Sequence, residues 1–291
     1  MMETMKIVKY SCLLTLFGGL MLANAAYAQQ SPIVSSYFQN EYLFNAAQVG
    51  VNGMKAVDAI VRTPVGQYKG EMKENYVHAM YGFGRQGIGA GFRSNAIGAF
   101  NLSEINLSYA LHLPLDGESR FLSMGTGVKF LREQINADKI VGDVNDPMIA
   151  YYNNDPNRFD INLGLAYTAT HLSLNLAVNN ILRDKHNFLL NPSPFIYSSI
   201  KYKFLLNDVS VQPVFAYRRL LNDRDVVDIG TSVGFDGLFD IYAFYHTSKN
   251  MSTGLSTQVK NLRLNLGYTT TTASVQGLAV QGLDIGVRYQ W

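Results

Sequence analysis

His171-Leu172-Ser173 and His246-Thr247-Ser248 each set a histidine two residues before a serine, and Asn175 follows two residues after Ser173. On an extended chain, positions two apart share a face. Each pair could therefore put a base beside a nucleophile, the minimum for acyl transfer. A second candidate is Asp143-Val144-Asn145-Asp146-Pro147 followed by Asn153-Asn154-Asp155-Pro156, whose clustered oxygens are of the kind that bind calcium. It lacks the glycine and the terminal glutamate of an EF-hand loop, and Asp-Pro and Asn-Asp steps are ordinary turn formers. Arg218, Arg219 and Arg224 lie among Asp223, Asp225 and Asp228, a mixed-charge stretch rather than a basic patch. No spacing of the remaining histidines points to a metal, and no cofactor is expected.

What these groups can do depends on the elements that hold them. The chain opens with an export signal: Lys6 and Lys9, an apolar run from Cys12 to Ala23, then Ala26-Tyr27-Ala28 before Gln29. The run is too short for a membrane anchor, which needs about 20 apolar residues. Cleavage is expected after Ala28. It removes the only cysteine, Cys12, and with it disulfides and thiol catalysis. Losing Glu3, Lys6 and Lys9 leaves 22 basic against 21 acidic residues, or +1. A nucleic-acid partner would need a clustered basic face, and none is present.

After the signal, no stretch is long and apolar enough for a membrane helix. Period two runs through the chain instead. Leu283, Ile285, Val287, Tyr289 and Trp291 alternate with Asp284, Gly286, Arg288 and Gln290. Phe159, Ile161, Leu163, Leu165 and Tyr167 alternate with Asp160, Asn162, Gly164, Ala166 and Thr168. About fourteen strands follow, near 55–64, 75–83, 86–94, 103–113, 120–131, 158–168, 171–180, 195–205, 209–218, 226–235, 238–247, 252–259, 262–271 and 279–291.

The charges choose between two ways of using such strands. Asp58, Arg62, Arg93, Lys129, Asp160, Lys201, Lys203, Arg218, Asp228, Asp240, Arg263, Asp284 and Arg288 all fall on the less apolar face. A lysine or arginine facing mid-bilayer lipid costs about 2–4 kcal/mol, so a lipid-facing wall requires this sorting. A soluble sandwich would put its polar faces outward instead. The reading is all-β: a transmembrane antiparallel β-barrel with polar residues inside.

Connections keep the rhythm of such a barrel. The longer ones are 64–75, 94–103, 132–158, 180–195, 218–226, 247–252 and 271–279; the tight ones include Gly84-Arg85, Ala169-Thr170 and Asp236-Gly237. Short periplasmic turns, longer outer loops and periplasmic termini produce that alternation. Pro213 is the one proline inside a proposed strand, and a bulge is expected there. On this register Ser173, Asn175, His246, His78 and His112 face the lumen. An outer-membrane phospholipase resembles the His/Ser/Asn grouping, but its active groups face the lipid that is its substrate. Lumen-lining polar side chains are the better account, and no enzyme is expected.

Three parts result: signal 1–28, an amino-terminal periplasmic or plug segment 29–54, and an outer-membrane barrel 55–291. The middle one is too short to be a domain, yet carries Tyr37, Phe38, Tyr42, Leu43 and Phe44. That is too much apolar surface for a free tail. It is expected to fold into the barrel mouth as a plug or as a partner-binding hook, with Tyr37, Phe38, Tyr42 and Phe44 as the contact residues. At the other end, Tyr289 and Trp291 close an alternating strand and read as an assembly signal for outer-membrane insertion. A glycine-rich inward face (Gly87, Gly89, Gly91, Gly125, Gly127, Gly230, Gly234) leaves room inside.

Gln29-Gln30-Ser31-Pro32, Ser36-Tyr37-Phe38-Gln39-Asn40 and Asn45-Ala46-Ala47-Gln48-Val49-Gly50 together resemble the start of the PorP/SprF family. These are outer-membrane barrels of the Bacteroidetes type IX secretion system. Tyr109-Ala110-Leu111-His112-Leu113-Pro114-Leu115, the Gly125-x-Gly127-Val128 strand and Phe159-Asp160-Ile161-Asn162-Leu163-Gly164 are further matches. Ala46 and Gln48 replace the usual proline and tyrosine of the Asn-Pro-Ala-Tyr-Ala-Gly motif. The resemblance implies a non-enzymatic barrel that docks or anchors secreted adhesins or their carboxy-terminal domains. It also implies a link to a periplasmic, peptidoglycan-associated lipoprotein of the secretion and gliding apparatus. The residues alone also admit a small-solute or fatty-acid channel, since fourteen strands can enclose a pore or a plugged lumen.

Overall fold

The structure is a computed structural model describing residues 35, 37–65, 73–116, 119–140, 142–143, 146–154, 157–182, 194–220, 225–271 and 281–291. The proposed signal segment lies outside them.

Fifteen ladder segments make the wall: β1 Lys55–Pro64, β2 Lys73–Phe83, β3 Gln86–Ile97, β4 Phe100–Asp116, β5 Arg120–Ile135, β6 Asn157–Thr168, β7 Leu172–Asn179, β8 Phe195–Tyr202, β9 Phe204–Leu206, β10 Val209–Leu220, β11 Val226–Phe235, β12 Phe239–His246, β13 Asn250–Val259, β14 Leu262–Thr271 and β15 Gly282–Gln290. β8 and β9 are one strand, so the wall has fourteen. Each strand pairs antiparallel with its neighbours in sequence. β15 pairs with β1, setting Arg288 opposite Asp58 and Asp284 opposite Arg62, and this closes the sheet. Closure leaves no edge with unpaired backbone groups, which hydrocarbon would not satisfy. Among the described residues no helix is long and apolar enough to cross a membrane.

The two faces of the wall are inverted relative to a soluble protein. Outward positions expose Val57, Val61, Ile88, Ile105, Leu107, Leu163, Leu264 and Ile285, whereas Asp58, Glu74, His78, Asp160, Asp228 and Asp284 are buried inside. Covering apolar surface is worth about 25 cal/mol per Å². Only lipid can cover a continuous band of this kind without hiding it from solvent by association. The turns are tight at the end carrying Lys55 and Trp291; Asp236-Gly237, both with positive φ, closes the β11–β12 hairpin. The longer connections lie at the other end. We call these ends periplasmic and outer.

Three expectations change. The connections 94–103 and 247–252 are not long loops: β3 and β4 run on to a tight turn at Gly98-Ala99, and Thr247-Ser248-Lys249 alone join β12 to β13. β4 and β5 reach 17 and 16 residues. An apolar cluster of Leu102 and Leu131 with Ile97 and Phe100 holds them together past the neighbouring strands. Within the following loop the helix Pro147–Asn154 folds back, and the Asn153 side chain bonds both the Ile135 nitrogen (2.8 Å) and its carbonyl (3.0 Å). Finally, Pro213 makes no bulge. Lys201 faces Val214 and Phe204 faces Val211 in one unbroken register; the ladder lapses between them, where proline has no N–H to donate.

A lumen filled by the amino-terminal segment

Residues 37–53 form four short 3₁₀ turns inside the barrel. Such turns leave many backbone groups without regular partners, and the wall supplies them. His112 bonds the Val49 carbonyl (3.0 Å), Asn179 donates to the Phe44 carbonyl (3.0 Å), and the Gly82 N–H donates to the Met54 carbonyl (2.9 Å). Side chains of the segment answer. Asn45 donates to the Leu165 carbonyl (2.9 Å) and to Asn175 Oδ1 (2.8 Å), and Gln48 donates to the same Asn175 oxygen (2.7 Å). Glu41 accepts from Ser173 and Asn175, each at 2.9 Å, and pairs with Lys201 at 3.3 Å.

Glycines let this segment approach the wall. A Cβ on Gly82, Gly87 or Gly125 would come closer than 3.0 Å to the segment's backbone. One on Gly164 would meet Asn45, and one on Gly89 the Tyr42 hydroxyl. The space that the glycine-rich face was expected to leave open is occupied. Gly91, Gly127 and Gly234 instead make room for wall side chains of neighbouring strands.

The aromatic residues singled out above point into the barrel. Tyr37 and Phe38 are fully buried, Tyr42 is buried, and Phe44 is partly buried against their cluster. Phe38 lies 4.4 Å from Phe244 between ring centroids, Phe44 stacks on Tyr197 at 5.1 Å, and Tyr42 sits edge-on to His78 at 5.4 Å. At the carboxy-terminal end, Tyr289 and Trp291 face outward, half exposed, with rings stacked at 5.8 Å.

Many of the lumen's charges are paired. Arg93 bonds Glu74 (2.9 Å), Lys129 meets Glu104 (3.3 Å), Arg288 bonds Asp58 (2.6 Å), and Arg263 bonds Asp240. Removing one partner of such a buried pair costs about 3–5 kcal/mol, because the other stays charged and unsolvated. Asp228 is the most heavily engaged. It accepts from Arg218 (3.1 Å) and from Tyr37 (3.0 Å), and lies 2.6 Å from His246 Nδ1. The Tyr37 hydroxyl is the donor in its bond to Asp228.

His246 Nε2 lies 2.9 Å from Ser252 Oγ, which completes a serine–histidine–aspartate line. The line crosses β11, β12 and β13, so spacing in sequence pointed to Ser248 instead. Its chemistry is unfavourable for hydrolysis. Ser252 is 1% exposed and also bonded to Thr269, and Asp228 is shared with a guanidinium. Neighbouring amides are committed to the ladder, so they offer no oxyanion site. At the other candidate, His171 turns to the Lys203 carbonyl (3.1 Å), away from Ser173 and Asn175, which hold Glu41. Among the described residues no three acidic or histidine side chains gather as a metal site.

Residues 26–283 match the family described as type IX secretion system membrane protein PorP/SprF. No curated protein matches the chain. The fold is similar to that of the Acinetobacter baumannii outer-membrane protein Omp33, with a TM-score of 0.51 at 6% identity, covering 83% of this chain and 100% of that one. It is also similar to CymD, a monoaromatic hydrocarbon channel, with a TM-score of 0.52 at 11% identity over 91% and 94% of the two chains. At such identities the likeness concerns the barrel alone.

Proposed function

Because the chain belongs to the PorP/SprF family of type IX secretion membrane proteins, we propose that it is a non-enzymatic docking barrel of the outer membrane. Its outer face holds exported surface proteins, adhesins or their carboxy-terminal domains among them. Its periplasmic face links to a peptidoglycan-associated lipoprotein and the rest of the secretion machinery.

The filled lumen supports docking over transport. A solute pathway needs open polar space, and here that space holds residues 37–53, bonded to wall strands β4, β7 and β11. In this reading Tyr37, Phe38, Tyr42 and Phe44 anchor the plug. Direct partner contact through them would require the plug to leave. The barrel's likeness to a hydrocarbon channel keeps a small-solute or fatty-acid channel as the second reading.

Affinity purification of the tagged protein from native membranes, paired with bilayer conductance, separates the two. Docking calls for recovery of an exported protein and a periplasmic lipoprotein without steady conductance. Conductance from the intact chain with no protein recovered would replace docking with transport.

A further inference from the structure

At the periplasmic end lies a cavity that the plug does not fill. It measures about 640 Å³, and Asn52, Gly53, Arg85, His112, Phe121 and Thr170 are among its walls. Ligand pockets usually run from about 300 to 1,000 Å³. Four parts of the fold meet there. The plug's last turn gives Asn52 and Gly53, the β2–β3 turn gives Arg85, and the β6–β7 turn gives Thr170. The β4–β5 hairpin makes the fourth side, because β4 runs on to Asp116 past Leu111, which faces the first residue of β3.

The lining has the chemistry of a binding site. Gly53 and Gly84 both have positive φ, and a Cβ on either would meet nothing within 4 Å, so bare backbone faces open space. Pro114 and Phe121, paired across the hairpin, supply an apolar wall. The His112 N–H donates to the Arg85 carbonyl at 2.7 Å and fixes the turn that presents the guanidinium. Arg85 is exposed, and among the described residues no carboxylate lines the cavity. The His112 side chain is buried and bonds the Val49 carbonyl (3.0 Å), which ties this wall to the plug.

We propose that the cavity receives an acidic loop of a periplasmic protein, with a carboxylate seated on Arg85. A planar guanidinium takes a carboxylate through two parallel N–H donors. Because Asn52 and Gly53 belong to the plug, the site is complete only while the plug is in place. A loop seated there touches plug and wall at once. The inference rests on the docking reading, whose periplasmic contact it locates.

Photo-crosslinking in native membranes tests it, with a benzophenone amino acid in place of Thr170. The adduct should be a periplasmic protein, joined within a segment that carries aspartate or glutamate. The same group in place of Asn207, in the β9–β10 turn, should give no such adduct. Arg85→Glu should cut the Thr170 adduct about tenfold or more, since bonds to a charged group give way to like-charge repulsion. Arg85→Lys should keep most of it. Each variant is checked for the heat-modifiable band of a folded barrel. No adduct at Thr170, an equal one at Asn207, or one that Arg85→Glu leaves unchanged would overturn the site. So would an adduct to a peptidoglycan stem peptide or to a segment without acidic residues. Docking is judged separately, by co-purification. A lipoprotein recovered equally with the intact protein and with Arg85→Glu retires the site and leaves docking standing; one recovered with neither retires both.

Discussion

Asn45 occupies the space that a side chain on Gly164 would need, and from there its amide bonds the next wall residue's carbonyl, that of Leu165. Plug and wall are therefore fitted to each other residue by residue. Gly164→Val should push Asn45 out of its seat and cost about 1–3 kcal/mol, the usual range for overpacking. Unfolding in detergent, followed by loss of the heat-modifiable band, measures it. Leu163→Ile, one residue away on the lipid face, should stay under about 1.5 kcal/mol. Equal behaviour of the two variants would mean that the plug is not seated there.

Asp228 joins plug to wall through charge. Asp228→Asn removes the buried carboxylate charge that Arg218 and His246 bond and should destabilise the barrel by about 3–5 kcal/mol. Tyr37→Phe removes one hydrogen bond to a charged acceptor and should cost about 1.5–3 kcal/mol. In the double variant the losses should fall short of their sum, since the Tyr37 bond depends on the Asp228 charge. Strict additivity would place the two residues in separate networks.

The lipid wall can be tested at one position. Ile285 is outward and half exposed near the middle of β15. Ile285→Lys should cost about 2–4 kcal/mol in a bilayer if it faces hydrocarbon. The same change assayed by water-soluble quenchers of a label at Ile285 should show little access. Free quenching there, with no loss of stability, would argue that water bathes this face.

Deleting residues 29–50 empties the lumen while sparing every strand. The truncated barrel should remain heat-modifiable and gain steady conductance that the full chain lacks. Partner co-purification should fall if the plug also orders the docking face. A truncated barrel that folds and stays closed would mean the paired charges of the wall, and not the plug, seal the lumen.

Ser252→Ala and Ser173→Ala should leave phospholipase and esterase readings at the level of the intact protein, which should itself be at background. Activity in the intact protein that vanishes in Ser252→Ala would turn the Asp228–His246–Ser252 line from a structural link into a catalytic one.

The wall was legible in the chain because lipid imposes a rule on every second residue. The period-two pattern identified the outward face at Leu283, Ile285 and Val287. Tight turns were betrayed by short breaks such as Gly84-Arg85 and Asp236-Gly237. Loop lengths were read less well, since Ile97, Phe100, Leu102 and Leu131 extend β3–β5 by packing on one another, a contact between strands that no local pattern announces.

The interior is different in kind. Alternation says that Asp228, His246, Gly125 and Asn175 point inward, but not toward what. Partners come both from neighbouring hairpins, as with Asp228 and His246, and from as far as 249 residues away, as with Ser35 and Asp284, where the plug meets the closed wall. The apolar surplus in Tyr37, Phe38, Tyr42 and Phe44 required that they be buried somewhere. Their exact seat is a property of the closed barrel, where glycines, carboxylates and amides from separate strands meet around one short segment. Sequence alone thus determined which face meets lipid, because solvent acts on each residue separately. Tertiary structure decided what fills the lumen, because that depends on which distant residues closure sets side by side.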